Sequence, residues 1–228
     1  GPGKSKAYLE QLVNSGVKTI VLESLNQVYW LNEIAQEKQQ TLDCLLRVQL
    51  DWDEGKSVLG GDEITPFGIS PNDWEHLDQS KTNNLNIKGF HVFQWGNILD
   101  VQKLEQIWRK TVEDIQKLSQ KISVPVEVLD LGGGLGIPYT FEQKGIDFQD
   151  VHSVLKKIKR DYQLNQIWME LGRFTVGECG YYFTKIVDKK QARGRDILVC
   201  DGGINHIARV ALVNQTFPAK AFKDSSAK

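Results

Sequence analysis

The sequence predicts the α/β class, with a mainly parallel sheet flanked by helices and a short antiparallel piece near the carboxyl end. Three observations carry this. Short apolar runs alternate with segments whose apolar residues recur every three to four positions, and this happens five times before Arg173. The run at 126–131 reads as a strand covered on both faces, and three consecutive glycines follow it directly. Beyond Arg173 the strand-like runs are no longer separated by helical segments. Five alternating units suit either an open doubly wound sheet or a barrel.

The bulk properties bound the problem. At 228 residues, 40% hydrophobic and 25% charged, the chain has room for roughly one large domain with a real core. Lys and Arg total 28 against 29 for Asp and Glu, which gives no reason to expect nucleic acid or a membrane surface as partner. Cys44, Cys179 and Cys200 are scattered and odd in number, so buried thiols in a reducing compartment are expected, with no disulfide and no metal site. No run approaches the ~18 apolar residues of a membrane span and no leader pattern opens the chain, so the cytoplasm is the expected location.

Taken in order, Ser5 caps a first helix carrying Tyr8, Leu9, Leu12 and Val13, and Gly16 stops it. A strand at 19–22 ends in Glu23 and Ser24, and Leu25, Val28, Leu31 and Ile34 mark the next helix. A strand at 45–50 leads into a glycine-rich passage at 55–68, long enough to be expected at the rim of a site. Ser70-Pro71 reads as a helix start. After a strand at 87–93, Asp100 opens the clearest helix, with Val101, Leu104, Trp108, Val112, Ile115 and Leu118 on one stripe. The glycine turn closes the next strand, 148–160 is helical, and 167–169 leads to Glu170-Leu171-Gly172-Arg173. Runs at 181–189 and 196–201, joined by a turn at 191–194, predict a hairpin.

In parallel α/β sheets ligands collect beyond the carboxyl ends of the strands. That places Glu23, Ser24, His91, Gln94, the turn Gly132-Gly133-Gly134, Glu170 and Arg173 together as candidates. The bare backbone of the turn suits a phosphate dianion. Glu170 could hold a protonated pyridine nitrogen, His91 could lie flat against a ring, and Arg173 could add charge beside a phosphate. Asp201, Gly202 and Gly203 with Asn205, His206 and Arg209 end a later strand and form a second polar group. The string Val-Leu-Asp-Leu-Gly-Gly-Gly fits two patterns: the S-adenosylmethionine loop of Rossmann-like methyltransferases, and the phosphate loop of pyridoxal-phosphate decarboxylases. A methyltransferase would place a second strand-end acid roughly 20 residues beyond the turn, by analogy with dinucleotide folds. None stands there before Glu170.

Taken together, GPGK, LESLNQVYWLNEIA, LLRVQLD, FGISPND, GFHVF, LDLGGGLGIPY, ELGRF with GECG, and DGGINHIAR resemble the pyridoxal-phosphate decarboxylases of the alanine-racemase-like fold, the group of diaminopimelate and ornithine decarboxylases. The resemblance implies part of a (β/α)8 TIM-type barrel over 1–178, about five of eight strands, then the beginning of an antiparallel β domain over 179–228. It implies pyridoxal 5'-phosphate as cofactor, an amino acid as substrate, and a homodimer. His91 would stack on the cofactor ring, Gly132, Gly133, Gly134 and Arg173 would bind its phosphate, and Glu170 would face the pyridine nitrogen. Asp201 and Arg209 would lie beside the substrate. The family's Schiff-base lysine lies in the first barrel strand, a segment with no counterpart among these residues, and neither Lys4 nor Lys88 matches its position. Gln94 and Trp95 stand where relatives often have Gly-Ser. Two further readings accompany this one: a methyltransferase using the same turn, and a cofactor-binding relative without turnover.

Overall fold

The computed structural model describes residues 1–52, 56–57, 60–61, 64–213, 217 and 219–222. The first unit opens with α1 (Lys6–Asn14), whose first turn is capped by the Ser5 hydroxyl accepting the Tyr8 N–H. Then come β1 (Thr19–Leu22), α2 (Leu25–Glu37), β2 (Leu42–Arg47), a two-residue pair of strands β3 (Lys56–Ser57) and β4 (Gly60–Gly61), and the single turn α3 (Pro71–Trp74). The unit continues with β5 (Leu85–His91), the 22-residue α4 (Val101–Ile122), β6 (Val128–Asp130), α5 (Phe148–Asp161) and β7 (Gln166–Trp168). The helices start where short polar side chains satisfy exposed N–H groups: Ser24 for α2, Ser70 with Pro71 behind it for α3, Asp100 for α4 and Asp147 for α5.

Five of these strands form one parallel sheet in the order β1-β2-β5-β6-β7. Each strand lies beside the next strand of the sheet in sequence, and the order never reverses. A doubly wound nucleotide-binding sheet reverses at its switch point, whereas a barrel runs straight round. The observed order is the barrel's, and it removes the methyltransferase reading. The core fills from both layers: Leu22, Leu45, Leu46, Phe90 and Leu129 from strands, and Leu31, Ile34, Leu104, Ile115 and Leu118 from helices, all buried.

Strand boundaries differ from the periodicity, with β5 at Leu85–His91 where 87–93 was expected and β6 at Val128–Asp130 where 126–131 was expected. β2 starts at Leu42 and leaves the ladder after Arg47, where 45–50 was expected, because the partner strand β5 ends opposite Arg47 at His91. Beyond it Val48 donates its N–H to the His91 carbonyl at 2.9 Å and forms an isolated bridge to Ile69. Tyr8, expected on the buried stripe of α1, is 47% exposed.

By internal contacts the chain divides into one unit of residues 1–136 with 146–172, and a second of 137–145 with 173–228. The second holds α6 (Arg173–Val176), the antiparallel hairpin β8 (Ile186–Ala192) with β9 (Arg195–Cys200), and α7 (Ala208–Val213). The expected strand at 181–189 is thus displaced to Ile186–Ala192. Arg193 and Gly194 both take left-handed φ, 50° and 73°, so a two-residue turn lets pairing continue to Ala192 and Arg195. No helix among the described residues is long and apolar enough to cross a membrane. Of the three thiols expected to be buried, Cys44 is, and burial followed by the neighbouring Asp43 pushes its thiol far above the ordinary range. Cys179 is exposed and Cys200 half-buried, since the hairpin unit covers its own side chains poorly.

Candidate active site

The carboxyl ends of adjacent strands place a row of polar side chains side by side. Arg47, His91 and Asp130 are direct register partners across β2, β5 and β6. Glu23 follows β1 and completes the row by accepting from both sides: Arg47 Nη1 lies 3.2 and 3.3 Å from its two oxygens, and Lys4 Nζ lies 3.4 Å from Oε1. All five of these polar side chains are buried. Burial opposes ionisation of Glu23, yet Arg47, Lys4 and the Gly68 N–H at 3.0 Å outweigh it and hold the carboxyl below its ordinary range. Arg47 is clamped further by the Phe93 carbonyl at 3.4 Å and by the Phe67 ring, 4.6 Å from its guanidinium carbon. The glycine-rich passage expected at a rim therefore reaches this row through Phe67 and Gly68, while Asp62 and Glu63 lie outside the described residues.

After β6 the chain turns sharply at the glycines. Gly132 takes φ +63° and Gly134 φ +99°. The Gly132 N–H is spent on Asp130 Oδ1 at 2.8 Å, and the Gly132 carbonyl accepts from the Glu170 N–H at 2.6 Å. A side chain at Gly133 would place its Cβ 2.6 Å from the Glu170 carbonyl oxygen. Among the described residues neither the Gly133 nor the Gly134 N–H has a protein partner, although Gly133 is buried. A buried donor without a partner is rare, and with the half-buried N–H beside it Gly133 makes a ready anion cradle.

Three ionisable groups close beside this turn. One donor atom each from His91, Asp130 and Glu170 lies within 4.8 Å of the others, and His91 Nε2 stands 3.5 Å from Glu170 Oε1. The environments of the two carboxyls differ in sign. Burial pushes Asp130 up, partly offset by His91 and the Gly132 N–H, whereas the hydrogen bond with His91 holds Glu170 down. The Glu170 side chain is half exposed, so it keeps an ionised face open to a ligand. His91 is buried, and its Nδ1 has no partner among the described residues.

Residues 1–177 match the family model for the pyridoxal-binding domain of pyridoxal-dependent decarboxylases. The chain belongs to this family. Its relatives include a diaminopimelate decarboxylase of Aquifex aeolicus, 29% identical over 94% of this chain and 51% of its own length. Another is a 2-[(L-alanin-3-ylcarbamoyl)methyl]-2-hydroxybutanedioate decarboxylase of Staphylococcus aureus, 27% identical over 89% of this chain and 52% of its own. The crystal structure of diaminopimelate decarboxylase from Helicobacter pylori superposes with a TM-score of 0.82 over 98% of this chain and 57% of its own, at 21% identity, which speaks for the fold. The chain spans about half the length of the curated relatives it matches.

As a pyridoxal-binding domain the chain takes pyridoxal 5'-phosphate, and its geometry fits that group. Two neighbouring N–H groups without protein partners among the described residues suit the phosphate, and an ionised carboxylate beside an imidazole suits a pyridine ring. Of the candidates read from the sequence, the first unit brings His91, Gly132, Gly133, Gly134 and Glu170 together. Two others are occupied elsewhere. Ser24 caps α2, and both ends of the buried Gln94 amide are bound to Leu50, its Oε1 to the N–H at 2.7 Å and its Nε2 to the carbonyl at 2.8 Å. Arg173, Asp201 and Arg209 belong to the second unit. There Arg173 bonds the Tyr139 hydroxyl, and both it and Arg209 stand 5.7 Å from the Tyr139 ring centre. Asp201 accepts from the Thr184 hydroxyl at 2.8 Å and the Lys185 N–H at 2.9 Å, tying the end of β9 to the approach to β8. Arg47 and Asp130 escaped the sequence reading.

Proposed function

We propose that the whole protein removes the α-carboxylate of an amino acid or amino-acid-like substrate with the help of pyridoxal 5'-phosphate. The observation that carries the reading is the 2.6 Å hydrogen bond from the Glu170 N–H to the Gly132 carbonyl, which ties the residue bearing the Glu170 carboxylate to the glycine turn. When bound, the cofactor supplies an electron sink for the pair left behind as carbon dioxide departs. The chain's own residues do the rest. The Gly133 and Gly134 N–H groups hold the phosphate, Glu170 keeps a proton on the ring nitrogen, and His91 supports the ring from the mouth of β5. Arg173 beside the phosphate and Asp201 and Arg209 beside the substrate complete the assignment. Those three rest on their positions in the motifs ELGR and DGGINHIAR. A homodimer in the cytoplasm belongs to the same reading.

Replacing Glu170 with Ala tests it. Release of carbon dioxide from candidate amino acids should be abolished, while equilibrium dialysis still detects phosphate-dependent binding of pyridoxal 5'-phosphate. An unchanged turnover rate would remove Glu170 from its role.

A further inference from the structure

The reading above leaves the Asp130 carboxylate without a task, although it is buried, 5% exposed, at the centre of the site. A buried carboxylate needs specific partners to persist there. It has two kinds. Its Oδ1 accepts the Gly132 N–H at 2.8 Å, and one of its oxygens lies within 4.8 Å of a His91 ring nitrogen and of a Glu170 oxygen.

The first contact sets the shape of the glycine turn. A backbone this bare has many accessible conformations, because glycine enters left-handed φ freely. The Asp130 oxygen satisfies the Gly132 N–H at the start of the turn, so only the next two N–H groups are left for a ligand. From the other side the Glu170 N–H holds the Gly132 carbonyl. One residue, Gly132, is thus gripped on both sides of its Cα, by a side chain from β6 and by the backbone just after β7. The second places an oxygen of the same carboxyl group within 4.8 Å of an imidazole nitrogen of His91 on β5, so the turn and the histidine share one charged neighbour.

We propose that Asp130 is a positioning residue that couples the phosphate turn to the ring site, holding Gly132 so that the Gly133 and Gly134 N–H groups converge. The inference rests on the proposed cofactor geometry, but its first half concerns a bond within the protein and is separable from it. Three variants of the full-length protein divide the possibilities. Asp130→Asn keeps an oxygen at the Gly132 N–H and gives up the charge. Asp130→Glu keeps the charge and carries the oxygens one methylene away. Asp130→Ala removes both.

Dissociation constants for pyridoxal 5'-phosphate and for phosphate-free pyridoxal, with amide hydrogen exchange of Gly132 to Gly134, give the readout. Asp130→Asn should bind the phosphorylated cofactor within about threefold of wild type, whereas Asp130→Ala and Asp130→Glu should each lose about tenfold, the scale of one hydrogen bond to a charged group. In the Ala and Glu variants the loss should be smaller for pyridoxal than for its phosphate, and exchange at Gly132 should accelerate. A role in packing alone would weaken both ligands equally, and a role of the negative charge alone would not be rescued by Asn. Either result, or an Ala variant indistinguishable from wild type, would overturn the proposal. If Asp130→Ala fails to fold, the contrast between Asn and Glu still decides. Wild-type protein that binds neither ligand would instead sink the cofactor reading, and the exchange rate of Gly132 across the variants would still judge the bond.

Discussion

At the scale of single residues, the site depends on places where nothing larger fits. Adding a methyl at Gly133 brings it within 2.6 Å of the Glu170 carbonyl, a backbone atom that cannot swing aside. Gly133→Ala should therefore lose about tenfold or more in affinity for pyridoxal 5'-phosphate and about 1–3 kcal/mol in stability, measured by titration and by urea unfolding. Glu23 gives a pH-dependent case. Its folded carboxyl sits below its unfolded value, so the stabilisation it contributes is fully present above the unfolded value and is lost as pH falls through the folded one. Glu23→Gln should cost about 3–5 kcal/mol near neutrality, because Arg47 and Lys4 are left buried without their counter-charge. The variant should also show a shallower decline than wild type on acidification, read from urea midpoints across a pH series. The sequence exposed Glu23, His91, the glycines and Glu170 because each interrupts or follows an apolar run. It hid Arg47 and Asp130 because the apolar runs continue past them, to Leu50 and Leu131, so neither residue stands at the end of its run. Once β2 and β6 end where their partners end, both fall into the row at the mouth.

At the scale of elements, local signals did well where the helix alone decides its own boundaries. α4 begins at Asp100, which accepts the Gln102 N–H at 2.8 Å, and its apolar stripe is buried at Leu104, Trp108, Val112, Ile115 and Leu118. Asp100→Ala should lower stability by about 1 kcal/mol, visible as a reduced urea midpoint with an unchanged slope. Strand ends were less legible because a strand stops where its neighbour stops, which is set by a segment some 40 residues away. The hairpin shows the same dependence on a turn: two left-handed residues, Arg193 and Gly194, moved the strands relative to the apolar pattern.

At the scale of the molecule, alternation of strands and helices defined the class but not the order of strands, since a doubly wound sheet and a barrel alternate alike. The order depends on which edges meet, and that information is non-local. The two units also differ in cover. β2 is almost wholly buried and β5 mostly so, whereas β8 is exposed along its length. Native-state hydrogen exchange should be slowest in the amides of β2 and β5 and orders of magnitude faster in β8 and β9.

The unbroken order β1-β2-β5-β6-β7 has a consequence for how this chemistry can change. Reading from amino to carboxyl end also walks across the mouth, from Glu23 to Arg47, His91, Asp130 and Glu170, each on or just beyond its own strand, with α2, α4 and α5 in three of the connections between those strands. Lengthening a return segment such as 123–127 alters only the back of the sheet. The sequence of charges in front is inherited intact, so new specificity can be acquired one module at a time.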